Sequence, residues 1–366
     1  MTFYFAELFK EVVLRRPSRR AIPALDGQWK ANEKLETCPA FARGLQEADA
    51  IAAGNDGLVY AASGNTVAVL QSDGRLIDSI GGFQAPITAL GWSESRGPLI
   101  AAEGLGVYAI PPGKTRELLG GTEALGCITA IAEADDTIYL AQGSTRNRYA
   151  DWRRSLMEHD RSGRILRWEG ENEEVNVLAS GLAFPFGLAA DGPANEELVF
   201  TEAWSYSIRT LKLATSGVAV GIDNLPGYPA RIVADGQGGW FVSFLALRTQ
   251  LVEFVLREPK FLRRMIGTVP QEFWIAPSLS PNDDHRQPQQ LGLLRTHGVR
   301  KPWAPGRSYG LIAHFDRAFN VVSTLHSRAD GERHGTLGLC MSGSRLLATT
   351  FAQSAILLPL GGTHES

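Results

Sequence analysis

Three side chains in this sequence have the chemistry to move a proton if the fold brings them to one place: Asp49, Glu202 and His334. A carboxylate or imidazole in a partly dry pocket serves as a general acid or base near neutral pH. Arg231 carries a planar guanidinium fork suited to a carboxylate or phosphate on a substrate. Phe186, Trp204 and Tyr206 supply the aromatic wall of an apolar chamber. Glu103 and Glu202 recur at equivalent places in LIAAEG and LVFTEA, where either can reach inward as a buried acid; Glu202 is preferred. A packing-only reading stands beside this one, in which Phe186 plugs a channel and Arg231 pairs with an acid.

Other motifs carry less. Gly306-Arg307-Ser308-Tyr309-Gly310 has the G-x-S-x-G spacing of a nucleophile elbow, which needs a strand before it and a helix after it. Here Pro302 and Pro305 precede it and the strand-like LIAHFD follows, so Ser308 is not expected to be a nucleophile. Glu158-His159-Asp160, and His285 with Asp283 and Asp284, read as solvated surface. Asp235-Gly236-Gln237-Gly238-Gly239 reads as a hairpin turn rather than a phosphate cradle.

The elements that position these groups follow from a repeat. Six apolar runs stand out: LVYAAS, LIAAEG, IYLAQG, LVFTEA, WFVSFL and LLATTF. Each follows a turn rich in Gly, Asp, Asn or Ser, such as Asn55-Asp56-Gly57 or Asp135-Asp136, and ahead of each turn lies another β-like run. Several of the intervals are close to one four-stranded propeller blade, and the two long ones hold extra material near 144–162 and 249–305. The pattern predicts an all-β, six-bladed β-propeller over 41–366, preceded by a helix and extension over 1–40. The alternative is a pair of β-sandwiches or a mixed α+β protein. Helices are expected at 3–15, around 249–258 and within 147–160.

Lys plus Arg is 36 against 39 Asp plus Glu, a net charge of −3 with no basic tract, which excludes a nucleic-acid footprint. No run is long and apolar enough for a membrane span, and no secretory leader is expected. Cys38, Cys127 and Cys340 fit neither a disulfide framework nor a CxxC metal site; reduced thiols in the cytoplasm are the expectation.

The stretches GSTRNRYADWRRSLMEHDRSGRILRW (143–168), VLASGLAFPFGLAADGPANEELVFTEAWSYSIRTLKL (177–213) and NLPGYPARIVADGQGGWFVSF (224–244) resemble the strictosidine synthase-like group of six-bladed propellers. The resemblance implies the fold and puts reactive groups where first strands begin, beside the channel. The positions so assigned are Asp49, Thr88, Thr129, Phe186, Ala230 and either Thr336 or Leu337. Related gluconolactonase and paraoxonase propellers bind a channel calcium through carboxylate and amide oxygens. Phe186, Ala230 and Thr129-Ala130 replace those donors here, so neither a metal nor another cofactor is expected. The glutamate that strictosidine synthases use in a His-x-Glu context is also missing, since His334-Gly335-Thr336-Leu337 stands there.

The expectation is a metal-independent propeller acting on a small organic molecule as a hydrolase or lyase. Asp49, Glu202 and His334 are its acid/base candidates; Thr88, Thr129, Phe186, Trp204, Tyr206, Ala230, Arg231, Thr336 and Leu337 line the substrate site. The rival is a non-catalytic propeller that binds a small molecule or a protein. Residues 3–15 or 249–275 offer surfaces for self-association, which the sequence does not decide.

Overall fold

The computed structural model describes residues 21–45, 47–111, 117–120, 125–169, 174–191, 196–280, 295–296, 299–300, 307–328, 331–351 and 354–358. The expected helix at 3–15 and the group Asp283, Asp284 and His285 lie outside them.

Six four-stranded antiparallel sheets form the blades of a propeller. Their first strands are Ile51–Ala53, Ile87–Ser93, Ile128–Ala134, Pro185–Asp191, Gly227–Ala234 and Leu339–Ser342, in blades I to VI. Each first strand neighbours those of the blades on either side, and the ring closes between blades VI and I. The second strands are Val59–Ser63, Gly97–Ala102, Thr137–Gln142, Glu197–Glu202, Trp240–Leu247 and Arg345–Thr350. Blade VI takes its outermost strand, Ala40–Arg43, from the other end of the chain, paired with Ser354–Leu358. The propeller therefore begins at Ala40, and the ring is latched by a contact between distant segments.

Local chemistry explains the hairpins. Ala134 pairs with Thr137, and the two residues between them, Asp135 and Asp136, both adopt positive φ, 49° and 58°. That is the twist a two-residue hairpin requires, and aspartate tolerates it. Both faces of each blade are covered by neighbours, so strands read as continuous apolar runs rather than alternating ones. Gly97–Ala102 and Trp240–Leu247 are buried at every position. Six apolar clusters fill the spaces between adjacent blades; one joins Ile100 and Tyr60 of blades I and II, another Phe241 and Leu346 of blades V and VI.

Both long insertions connect the second and third strands of their blades, so they emerge on the same face, where the first strands begin. The insertion of blade III holds α1, Trp152–Met157. That of blade V holds α2, Gln250–Leu256, and α3, Pro259–Thr268. The helix expected around 249–258 is α2, and a second, α3, follows it. Thr249 caps the first through the Val252 N–H (3.3 Å), and Pro259 begins the second at a position where a missing N–H costs nothing. Together α1, α2 and α3 roof the channel. A seventh cluster joins Trp152, Leu156, Val255, Leu262 and Met265 to the channel residues Phe186, Ala230 and Leu337.

Candidate functional site

The Arg231 side chain crosses the propeller axis. Arg231 leaves the first strand of blade V and donates from Nε to the Asp49 carbonyl (3.1 Å), from Nη2 to the Thr88 carbonyl (2.7 Å) and from Nη1 to the Thr129 carbonyl. Blades I, II and III are thus tied to blade V through a single guanidinium that is almost wholly buried. Its planar fork allows three separate acceptors, which an ammonium could not reach together. The Phe186 ring stands 5.6 Å from its central carbon. Gly187, the next residue, lets blade IV approach this closely: a Cβ there would sit 2.5 Å from the Ala230 carbonyl oxygen.

Asp49 lies beside that cation. Burial pushes its carboxyl up to about 6, while Arg231 and the Tyr149 hydroxyl pull it partly back. Tyr149 comes from the blade III insertion, and burial with the Asp49 charge raises its own pKa well above the usual value. Asp49 Oδ1, Tyr149 Oη and Thr88 Oγ1 are all shielded from solvent and lack a partner of regular hydrogen-bond geometry. Buried polar atoms are rarely left this way without a function or a small bound molecule. Glu103 holds the tyrosine in place, accepting the backbone N–H of Tyr149 (2.7 Å) and of Cys127 (3.2 Å). Burial raises its pKa, against these hydrogen bonds and Arg148.

The other candidate residues lie as follows. The Thr129 hydroxyl donates toward the Ala141 (3.1 Å) and Pro185 (2.7 Å) carbonyls, tying blade III to blade IV. Thr201 does the same between blades IV and V, accepting from Gly187 N–H (2.8 Å) and donating to the Ala230 carbonyl (2.5 Å). Leu337 is buried against Phe186 and Ala230, and its carbonyl accepts from Ser243 (2.6 Å). Thr336 bonds the Leu311 backbone N–H (3.2 Å). Trp204 stacks on Phe184 at 4.7 Å, and Tyr206 meets Tyr228 edge-on at 5.3 Å. The aromatic residues therefore gather under the roof.

Glu202 and His334 are engaged elsewhere than on the axis. Glu202 is buried, accepts the Ala183 N–H (2.7 Å) and pairs with Arg209. His334 is buried, with Nε2 donating to the Arg328 carbonyl (2.7 Å), which leaves Nδ1 to accept the Ser308 hydroxyl at 2.7 Å. The elbow-like motif thus contributes a serine–histidine contact, but both residues are shut away from solvent. Of Glu158-His159-Asp160, the first two are exposed, as the surface reading expects, with His159 Nε2 donating to the Leu256 carbonyl (2.8 Å); Asp160 departs from it, being 3% exposed and accepting Ser144 Oγ (2.5 Å).

Two groups escaped the sequence reading. Tyr149 sits in a stretch with no local pattern that would place its hydroxyl over the axis. Glu253, on α2, receives Tyr206 Oη (2.9 Å) and Arg248 Nη2 (3.1 Å), a buried pair that anchors the roof.

The axis does not suit a divalent ion. Among the described residues its carboxylate is Asp49, and the guanidinium of Arg231 already takes the carbonyl oxygens that would face a cation. Among the described residues no three His, Cys, Asp or Glu cluster for a metal. Farther along the first strands, away from the roof, a cavity of about 240 Å³ is lined by Ile51, Leu90, Ile131, Leu188, Ile232 and Leu339, one from each blade, with Arg231 in its wall.

Comparison with known proteins gives the family context. The strictosidine synthase family model matches residues 129–211. The adipocyte plasma membrane-associated protein of Bos taurus is 32% identical over 136 residues, 35% of this chain and 32% of that protein. Its counterpart in Danio rerio is 27% identical over 187 residues, 46% and 45% of the two chains. An Arabidopsis thaliana strictosidine synthase-like protein is 25% identical over 196 residues, 52% and 42%. The chain thus spans less than half the length of these relatives. A gluconolactonase from Xanthomonas campestris superposes with TM-score 0.55 at 12% identity, over 87% and 88% of the chains. A calcium-binding regucalcin from Agrobacterium tumefaciens gives 0.51 at 12% identity, over 90% and 93%. These likenesses show the fold alone. No helix among the described residues is long and apolar enough to cross a membrane.

Proposed function

We propose that this strictosidine synthase-like propeller is a metal-independent hydrolase for a small ester or lactone, with Asp49 as general base. The observation that carries the reading is the Asp49 carboxyl, buried beside Arg231 and the Tyr149 hydroxyl with a pKa of about 6, its Oδ1 lacking a partner of regular hydrogen-bond geometry. A base with that pKa is mostly ionised at neutral pH yet still basic enough to take a proton.

In the proposed reaction Asp49 removes a proton from water as the water oxygen bonds to the substrate carbonyl carbon. The carbonyl oxygen becomes an oxyanion, which accepts a hydrogen bond from the neutral Tyr149 hydroxyl and is stabilised by the charge of Arg231. Collapse breaks the acyl C–O bond, and the proton held by Asp49 passes to the leaving alkoxide. Water and ester become acid and alcohol. Thr88 Oγ1 orients the substrate, and Phe186 with the aromatic residues under the roof contacts its apolar part. Glu103 is a positioning residue for Tyr149. That a fold neighbour is named a gluconolactonase agrees with a cyclic ester as substrate. The buried free thiols Cys38, Cys127 and Cys340 suit a reducing, cytoplasmic setting.

A second reading, a binding propeller without catalysis, draws support from Phe186 and Leu337, which are buried together on the axis. A panel of lactones and aryl esters separates the two. The hydrolase reading expects turnover by the native chain and a loss of about a hundredfold or more in Asp49→Asn. Thermal stabilisation by a panel member without turnover supports the binding reading instead.

A further inference from the structure

We infer that the outer face of the roof, α2 with α3, docks onto the surface of an anionic phospholipid membrane. The inner sides of these helices are spent on the channel: Val252, Val255, Leu256, Leu262 and Met265 are buried in the cluster that contains Phe186 and Leu337. The side chains left exposed point away from it. Among them are Phe254, 60% exposed, and Phe261, 46% exposed, the aromatic members, among the described residues, of the large apolar side chains that stand in solvent. The others are aliphatic residues on the third or outer strands of the blades, such as Val218 and Val220.

Charge selects the occupant. Around the two phenylalanines stand exposed Arg257, Lys260, Arg263 and Arg264, with Glu258 as the exposed acid of the helices and their linker. Glu253 is buried and neutralised by Arg248. A chain of net charge −3 thus concentrates four bases against one acid on the face that carries Phe254 and Phe261, the phenylalanines exposed among the described residues. Arginine and aromatic residues are common at protein–protein interfaces as well, so the choice of occupant rests on the excess of positive charge rather than on residue type. Two copies of this face would repel each other. An anionic bilayer accepts both parts, with aromatic rings entering the acyl boundary and long basic side chains meeting headgroups. Each base near such a surface strengthens binding about fivefold.

The test is co-sedimentation of the full chain with phosphatidylcholine vesicles, with and without phosphatidylglycerol, read beside sedimentation velocity of the protein alone. Binding is expected only with phosphatidylglycerol and should weaken as salt rises. Phe254→Ser combined with Phe261→Ser should cut it at least about tenfold, and Lys260→Glu with Arg264→Glu should abolish it. All four positions are exposed, so circular dichroism melts of these variants should match the parent. No binding to anionic vesicles at low salt overturns the inference, as does binding indifferent to the phenylalanine changes. A dimer of the parent that the same changes dissolve also overturns it, because the face then serves a second copy of the chain.

Discussion

Arg231 donates to the backbone carbonyl of Asp49 at 3.1 Å, so the fixed cation of blade V and the acid of blade I share the propeller axis. One arginine therefore has two effects: it ties three blades to a fourth, and it sets the field around the candidate base.

Replacing Arg231 by Met tests the first effect. The Asp49, Thr88 and Thr129 carbonyls would lose their donor inside the ring. Unsatisfied buried acceptors cost about 1–3 kcal/mol each, so the urea midpoint should fall by the equivalent of at least about 3 kcal/mol at unchanged slope. Arg231→Lys should lie between, keeping the charge but not three separate bonds.

Asp49 makes stability depend on pH. Its folded pKa, about 6, lies above the 3.8 of an ordinary aspartate. The folded state therefore holds its proton longer than the unfolded one. The stability contributed by the protonated carboxyl is complete below about pH 4 and is lost as pH rises through 6. Relative to the parent, Asp49→Asn should gain on the order of 3 kcal/mol between about pH 4 and pH 8. Melting curves across that range check it; a constant difference between the two proteins speaks against a raised pKa.

Gly187→Ala addresses the packing around the axis. The new methyl would meet the backbone of Ala230, Arg231 and Ile232 at 2.5–2.8 Å, with no flexible side chain to yield. A loss of roughly 1–3 kcal/mol or more is expected in denaturant titration.

The roof rests on Glu253. Arg248 and Glu253 form a buried pair, and Tyr206 donates to the same carboxylate. Glu253→Ala leaves the arginine charge buried and should cost about 3–5 kcal/mol. Tyr206→Phe should cost about 1 kcal/mol. The double variant should lose less than the sum, because both changes remove one shared hydrogen bond.

The blades were legible in the sequence because each hairpin is written locally, in an apolar run, a turn residue such as Asp135 that tolerates positive φ, and a second apolar run. The ring of axial positions followed from that repeat together with the resemblance, which singled out Asp49, Thr88 and, in blade V, Ala230. The side chain that crosses the axis belongs to its neighbour Arg231, read from the sequence only as a substrate anchor. What they touch was not legible. The partners of Arg231 are backbone carbonyls, which every residue type carries, on three other blades. Tyr149 reaches the axis from an insertion whose path only the folded chain defines. Ser308 and His334 are 26 residues apart, and their contact depends on how blades V and VI abut. The helix read around 249–258 is α2; α3, which starts at Pro259, was not read, although proline at a first helical position is a signal for it.

The most direct test is the pH dependence of kcat/KM for the best lactone or ester, in the parent, Asp49→Asn and Tyr149→Phe. The parent should show a basic limb rising through an apparent pKa near 6, absent from the residual activity of Asp49→Asn. Tyr149→Phe should keep the limb at a rate about ten- to a hundredfold lower. Hydrolysis that is flat between about pH 5 and pH 8, or that survives intact in Asp49→Asn, would contradict the assignment of Asp49 as the base.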